Sequence, residues 1–341
     1  MKSNKGIPKD NKNVVDEDVG NIVHSNEFKC SSLVGHSASV GIMANLGNLL
    51  VSADDLGKVI MWDLNTSNQI SSFMSQNNDP VTSISILNDN VCYFAAGSSV
   101  YQTDLRVNSP SCLFELDEDV NMIDLHSNSH YLGTSDDSGA INVFDLRTQK
   151  RTRKFRSSHT NIASCFSFRP TTPWQCWSGG FDSFVHCWDF STGKIISSLS
   201  TESESFQSDK QNINPPYVNS LCFTENGNNA AIGLGNGMIS LLRGIPRKGN
   251  LNCHDDLLEC HTWSVSALKF HERFGDHYQL ISGGIDKRLC VWNIENDINV
   301  KPTLSLFVDC HQKINDIAIV NNDSLTVAVA GTNHSIDLYS L

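Results

Sequence analysis

Histidine, serine and aspartate recur together three times along the chain. His159, Ser178 and Asp182 are followed by Trp188, His261, Ser282 and Asp286 by Trp292, and His36, Ser52 and Asp55 by Trp62. These are the residue types of a hydrolytic relay, in which histidine deprotonates a serine that a carboxylate helps to orient. Repetition argues against that chemistry. One active site needs one nucleophile, yet the sets recur at closely matching offsets, with Asp55 one place early. No Gly-x-Ser-x-Gly elbow is present. The structural alternative is a hydrogen-bonded network repeated in each unit, where satisfied buried polar groups fix register and turn geometry. No catalytic residue is assigned.

Other candidate chemistry is weaker. Cys253-His254 followed by Cys260-His261 could supply metal ligands, but two clean ligand pairs would be needed, and no metal or cofactor is assigned. The glycines of Gly233-Leu-Gly-Asn-Gly237 imitate a nucleotide loop without the βαβ context that such a loop requires. The run from Arg147 to Arg156 holds six cations in ten positions. Lysine and arginine there could protect an outer edge strand, act as a nuclear import signal, or dock an acidic partner. It lacks interleaved stacking aromatics apart from Phe155, which disfavours direct nucleic-acid binding.

Two matched tripeptides remain, Asp104-Leu105-Arg106 and Asp145-Leu146-Arg147, 41 residues apart. An aspartate just after a strand accepts hydrogen bonds from turn amides. The arginine two residues on then presents a rigid fork of donors suited to a partner's carboxylates or carbonyls.

The elements that carry these residues follow from a repeat. The segments SADDLGKVIMWDLN, AAGSSVYQTDLR, TSDDSGAINVFDLR, SGGFDSFVHCWDFS, IGLGNGMISLLRGI, SGGIDKRLCVWNIE and VAGTNHSIDLYSL align. Trp62, Thr103, Phe144, Trp188, Leu242, Trp292 and Tyr339 hold one fixed place, at steps of 41, 41, 44, 54, 50 and 47 residues. A second marker, Gly35-His36, Ser158-His159, Cys260-His261 or Cys310-His311, precedes a strand-like run in most repeats. Alternating apolar residues bounded by Gly, Asp and Asn turns are strand signals. About four short strands per repeat cannot bury both faces alone, whereas stacking the sheets radially covers them.

This pattern resembles WD repeats, the blades of a β-propeller. It implies an all-β, seven-bladed propeller over residues 28–341, preceded by a flexible polar tail at 1–27. The last repeat runs out at Leu341 after three strands, so the strand-like FKCSSLV at 28–34 is expected to complete it and close the ring. The polar stretch 199–216 accounts for the longest step and reads as a mobile surface loop. The paired Asp-x-Arg tripeptides resemble the Trp-Asp-x-Arg boxes of propellers that serve as substrate receptors for cullin-4 ubiquitin ligases. That resemblance implies that Asp104, Arg106, Asp145 and Arg147 dock on the ligase's damaged-DNA-binding adaptor while the opposite face recruits a substrate. Thr103 and Phe144 stand where those boxes have tryptophan. The alternative is a scaffold in a chromatin or RNA-processing complex. Either way the expected partners are proteins, with one monomeric propeller in a larger complex.

Composition fits this picture. The 341-residue chain carries a net charge of −12, a poor balance for binding phosphate backbones. No apolar run reaches the length of a membrane helix. The expected location is the cytoplasm, the nucleus or both. Eleven cysteines without a Cys-x-x-Cys pair do not read as a disulfide framework. Cys165, Cys187, Cys222 and Cys290 sit in apolar runs and read as small hydrophobes.

Overall fold

Each aligned segment folds as paired antiparallel strands, and the seven sheets close into a ring. The structure is a computed structural model. It describes residues 22–23, 28–128, 130–155, 159–203, 206–207, 213–248, 251, 253–272, 277–321 and 325–341. Blades one to six each use four consecutive strands, ordered from the channel outward. Blade one is Val40–Leu46, Leu49–Asp54, Lys58–Asp63 and Asn68–Met74. Blade seven uses Ile314–Asn321, Thr326–Gly331 and Ser335–Ser340, and its outer strand is Lys29–Val34 from the other end of the chain. Lys29–Val34 pairs antiparallel with Ser335–Ser340, which is the expected closure. Of the tail 1–27, only Ile22–Val23 lies within the described residues. It pairs in parallel with Phe307 and Val308, adding a short strand to the outer edge of blade six.

Two local devices make these strands into blades. The innermost strands begin with a β-bulge in every blade except four, for example between Val40 and Ile42 and between Val265 and Ala267. A bulge sharpens twist, and blades need strong twist to pack side by side. A second bulge falls at the aromatic position of the third strand, at Trp62, Phe144, Trp188 and Trp292. Between blades lie apolar layers, such as Leu33, Val40, Leu50, Trp62, Ala328 and Ile336 between blades seven and one.

A ring of polar bonds surrounds the channel. The second residue of each innermost segment donates to the backbone carbonyl that opens the next blade. Thr82 Oγ1 bonds Val120 O at 2.6 Å, Asn121 Nδ2 bonds Ala163 O at 3.3 Å, and Ser164 Oγ bonds Val218 O at 2.6 Å. Asn219 Nδ2 bonds Val265 O at 3.1 Å, Ser266 Oγ bonds Ile314 O at 2.6 Å, and Asn315 Nδ2 bonds Val40 O at 2.9 Å. Blade one has Gly41 at this place and makes no such bond.

The His/Ser/Asp sets are hydrogen-bonded networks. His159 Nε2 meets Ser178 Oγ at 2.8 Å and Nδ1 meets Asp182 at 2.9 Å, while Trp188 Nε1 donates to Ser178 at 2.9 Å. His261 contacts Ser282 at 2.9 Å and Asp286 at 3.0 Å in the same way. Trp292 Nε1 finds no acceptor there. Blade one corrects the sequence reading. The carboxylate on His36 is Asp54, at 3.0 Å, and not Asp55. Asp54 is buried and also accepts from the backbone N–H of Leu56 and Lys58, whereas Asp55 is exposed. In blade seven His311 stays exposed, and the buried Gln312 beside it reaches Asp337 at 3.4 Å.

Two other readings change. Cys290 of blade six is disulfide-bonded to Cys260, in the link from blade five, and is not a free thiol. The stretch 199–216 is partly packed. Phe206 is buried against the layer between blades four and five, and its carbonyl accepts from Asn236 Nδ2 at 2.6 Å. Residues 204–205 and 208–212 lie outside the described residues.

Candidate partner-binding site

Antiparallel strands make the turns alternate between the two faces of the ring. First-to-second and third-to-fourth turns share one face, while second-to-third turns and the links between blades share the other. Arg106 and Arg147 follow the third strands Ser99–Asp104 and Ile141–Asp145 of adjacent blades, so they stand on the same face.

The turns explain their placement. Asp104 Oδ1 accepts the Arg106 N–H at 3.0 Å, and Asp145 Oδ1 accepts those of Arg147 at 2.8 Å and Thr148 at 3.2 Å. Four residues after each aspartate the chain turns through positive φ, at Asn108 (54°) and Gln149 (52°). Blades one and four build the same turn, with Asp63 and Ser67, and Asp189 and Gly193. The aspartates are therefore a shared turn device, and what distinguishes blades two and three is the arginine.

Each guanidinium also folds back on its own aspartate. Arg106 holds Asp104 through both Nε, at 2.9 Å, and Nη2, at 2.5 Å. Arg147 Nη2 lies 3.4 Å from Asp145 Oδ2. The Arg106 side chain, then its N–H, hold the Asp104 carboxyl down at about 2. At Asp145, burial works upward, but the Arg147 N–H and guanidinium outweigh it and the pKa is lowered. The pairing aims the forks and leaves their outer N–H groups to solvent, with side chains 67% and 62% exposed.

Two further arginines of this face, Arg243 and Arg169, do different work, while Arg247, in the third-to-fourth turn of blade five, is exposed outside the Asp-x-Arg motif. Arg243, at the aspartate place of blade five, is 2% exposed. It binds Asp256 at 2.6 Å and caps the carbonyls of Asp297, Ile298 and Val300 in the blade-six turn, within 3.1 Å. Arg169, also 2% exposed, donates to Gly227 O, Ile245 O and Pro246 O of blade five at 2.8 Å. Its structural role was not legible in sequence, because its acceptors are backbone carbonyls from 58 to 77 residues away. These two guanidiniums clamp blades four to six together, so only blades two and three present exposed forks from this motif.

The basic run is partly spent on contacts within blade three and with the neighbouring blades. Lys154 Nζ meets Asp117 at 2.5 Å, Arg153 Nη2 donates to Ser191 O at 2.5 Å, and Arg151 reaches Asn142 Oδ1 at 3.5 Å. Lys150 is exposed beside the Arg147 turn, and Arg156 lies outside the described residues. The metal candidate is not assembled. Cys253-His254 and Cys260-His261 lie at opposite ends of the strand His254–Glu259, on opposite faces of the ring. Ligand atoms of Cys260, His261 and Cys290, and of His159, Asp182 and His186, do converge within 4.8 Å. The first group has its thiols joined to each other, and His159 and His261 have both ring nitrogens engaged.

Residues 252–293 match the family model described as WD domain, G-beta repeat. The span covers one repeat, from the outer strand of blade five to Trp292. The WD repeat-containing protein 53 homolog of Dictyostelium discoideum is 25% identical over 91% of this chain and 94% of its own length. The chain is a WD-repeat β-propeller. This WD-repeat propeller is also similar to Protein groucho of Drosophila melanogaster, at 28% identity over 38% of the chain and 17% of that protein. The U3 small nucleolar RNA-associated protein 21 homolog of Schizosaccharomyces pombe is 26% identical over 59% of the chain and 18% of its own length. The last two matches involve only a small part of each relative and bear on the repeat alone. At this level the protein is a WD-repeat protein-interaction scaffold. No helix among the described residues is long and apolar enough to cross a membrane.

Proposed function

We propose that this WD-repeat propeller is a substrate receptor that docks on the damaged-DNA-binding adaptor of a cullin-4 ubiquitin ligase through Arg106 and Arg147. The observation that carries this reading is the contrast among arginines on one face. Two, on adjacent blades, are aimed by their own aspartates and more than half exposed, while Arg243 is buried in a clamp. The similarity to the Dictyostelium relative across nearly the whole length of both chains adds support. A central, desolvated arginine contributes about 2 kcal/mol or more to an interface, although each fork here must share its donors with an aspartate. Arg106→Ala, Arg147→Ala in one chain is expected to weaken binding of purified adaptor at least tenfold, read by surface plasmon resonance, without lowering Tm. Equal affinity for wild type and the double variant contradicts the proposal.

A second reading, a scaffold in an RNA-processing assembly, draws on the printed name of the Schizosaccharomyces pombe relative. Co-purification lacking adaptor and rich in ribonucleoprotein would favour it.

A further inference from the structure

The face opposite Arg106 and Arg147 has an apolar hollow of about 570 Å³ where blades five, six and seven meet. Trp263 and Ile285 line it and remain 42% and 36% exposed. Large apolar side chains left open in a concavity mark an interaction site more often than scattered surface ones do. The hollow is pre-built. Ile285 N–H donates to Ser264 O at 3.0 Å, Thr262 N–H to Asp286 Oδ2 at 2.8 Å, and Cys310 N–H to Lys287 O at 2.7 Å. Gly237, at φ +89°, lets the blade-five turn pass against this loop, since a Cβ there would stand 2.6 Å from His261 O and 3.1 Å from Trp263 O.

Charge decides what the hollow takes. Its rim carries Lys287 and Lys313. Both are exposed, and neither has an ion pair among the described residues. Its one carboxylate, Asp286, is engaged by His261 and by the Thr262 and Arg288 N–H groups. The same face is acidic at blades one to three, where Asp55, Asp119 and Asp137 are exposed. In a chain of net charge −12, two lysines without an ion pair among the described residues flank an open tryptophan and form a local positive site on a face that is acidic at blades one to three. An acidic segment is steered away from blades one to three and toward blades six and seven.

We infer that this hollow binds a partner's extended peptide, with one large apolar side chain against Trp263 and Ile285 and flanking carboxylates on Lys287 and Lys313. The inference gives the chemistry of the partner on the face away from the arginines. It rests on the protein-interaction reading of the propeller and not on adaptor docking.

The test is selection of random dodecapeptides displayed on phage against the full chain, with Trp263→Ala as the counter-target. The expected outcome is enrichment of peptides that place aspartate or glutamate around a leucine, phenylalanine or similar residue. A synthetic copy of the leading peptide should lose at least tenfold in affinity on Trp263→Ala and on Lys287→Glu, Lys313→Glu, and should weaken as salt rises. Arg106→Ala, Arg147→Ala should bind it as wild type does, which separates this inference from the docking proposal. Equal melting temperatures identify the variants as folded. The inference is overturned if nothing enriches, if the enriched peptides are basic or ignore Trp263, or if light scattering shows a second copy of the chain filling the hollow.

Discussion

Asp124, on the innermost strand of blade three at the channel wall, is a carboxylate whose protonation burial alters. Burial pushes its carboxyl up to about 6, against the pull of N–H groups from Phe168 and Leu125, the Ser167 hydroxyl and the charge of Lys269. The folded chain therefore keeps this proton at pH values where the unfolded chain has released it. The stability this group contributes is complete below the unfolded value of 3.8 and is lost as pH rises through about 6. Asp124→Asn, which retains an oxygen for the Phe168 N–H and the Ser167 hydroxyl, should raise Tm relative to wild type at about pH 7.5. At about pH 4.5 the gain should shrink or vanish. A difference in Tm that is the same at both pH values would count against a carboxylate buried in this way. The pH response of His36 and Asp54 runs the other way. Burial depresses the His36 pKa, and the bonds from Lys58 N–H and His36 lower that of Asp54 despite its burial. Both contributions are present near neutral pH and lost on acidification, so the Asp124 effect is read from the variant and not from the wild-type curve alone.

Among the elements, the ring of donors around the channel has one gap, at Gly41. Its backbone is not in the left-handed region, and a Cβ there would meet Val81 O at 3.9 Å and Asp55 Oδ1 at 3.5 Å, both ordinary contacts. Gly41→Ser should complete the ring, adding about 1 kcal/mol from the bond and a fraction more from reduced freedom of the unfolded chain. Differential scanning calorimetry should show Tm higher by roughly 2 °C. An unchanged or lower Tm would show that the inter-blade bonds add nothing net. The strands themselves were legible in sequence because alternation and turn residues are local signals, and the closing strand at 28–34 was legible because the last repeat lacked one. The donor ring was not, since Thr, Asn and Ser share its place and bond the next blade, 38 to 54 residues on or, at the closure from Asn315 to Val40, 275 residues back. Asp55 stands one place early against the other sets and Asp54 two, so the spacing favours Asp55, yet it is Asp54 that turns inward to His36.

At the scale of the whole molecule, the two faces are chemically different. One bears Arg106 and Arg147 beside blades locked by buried guanidiniums, and the other bears a lysine-rimmed apolar hollow on an acidic surround. Sequence revealed the arginines and their common face, because both end third strands of adjacent repeats. It did not reveal that Arg243 is a buried clamp or that Trp263 is exposed, since both depend on packing between blades. A propeller with two unlike faces can hold two proteins at once without their colliding. Hydrogen exchange on the propeller alone and bound to the purified ligase adaptor tests this most directly. The account predicts slowed exchange in the turns 104–108 and 145–149, with 262–264 and 285–287 unchanged. Protection centred on Trp263, or none at either arginine turn, would contradict it.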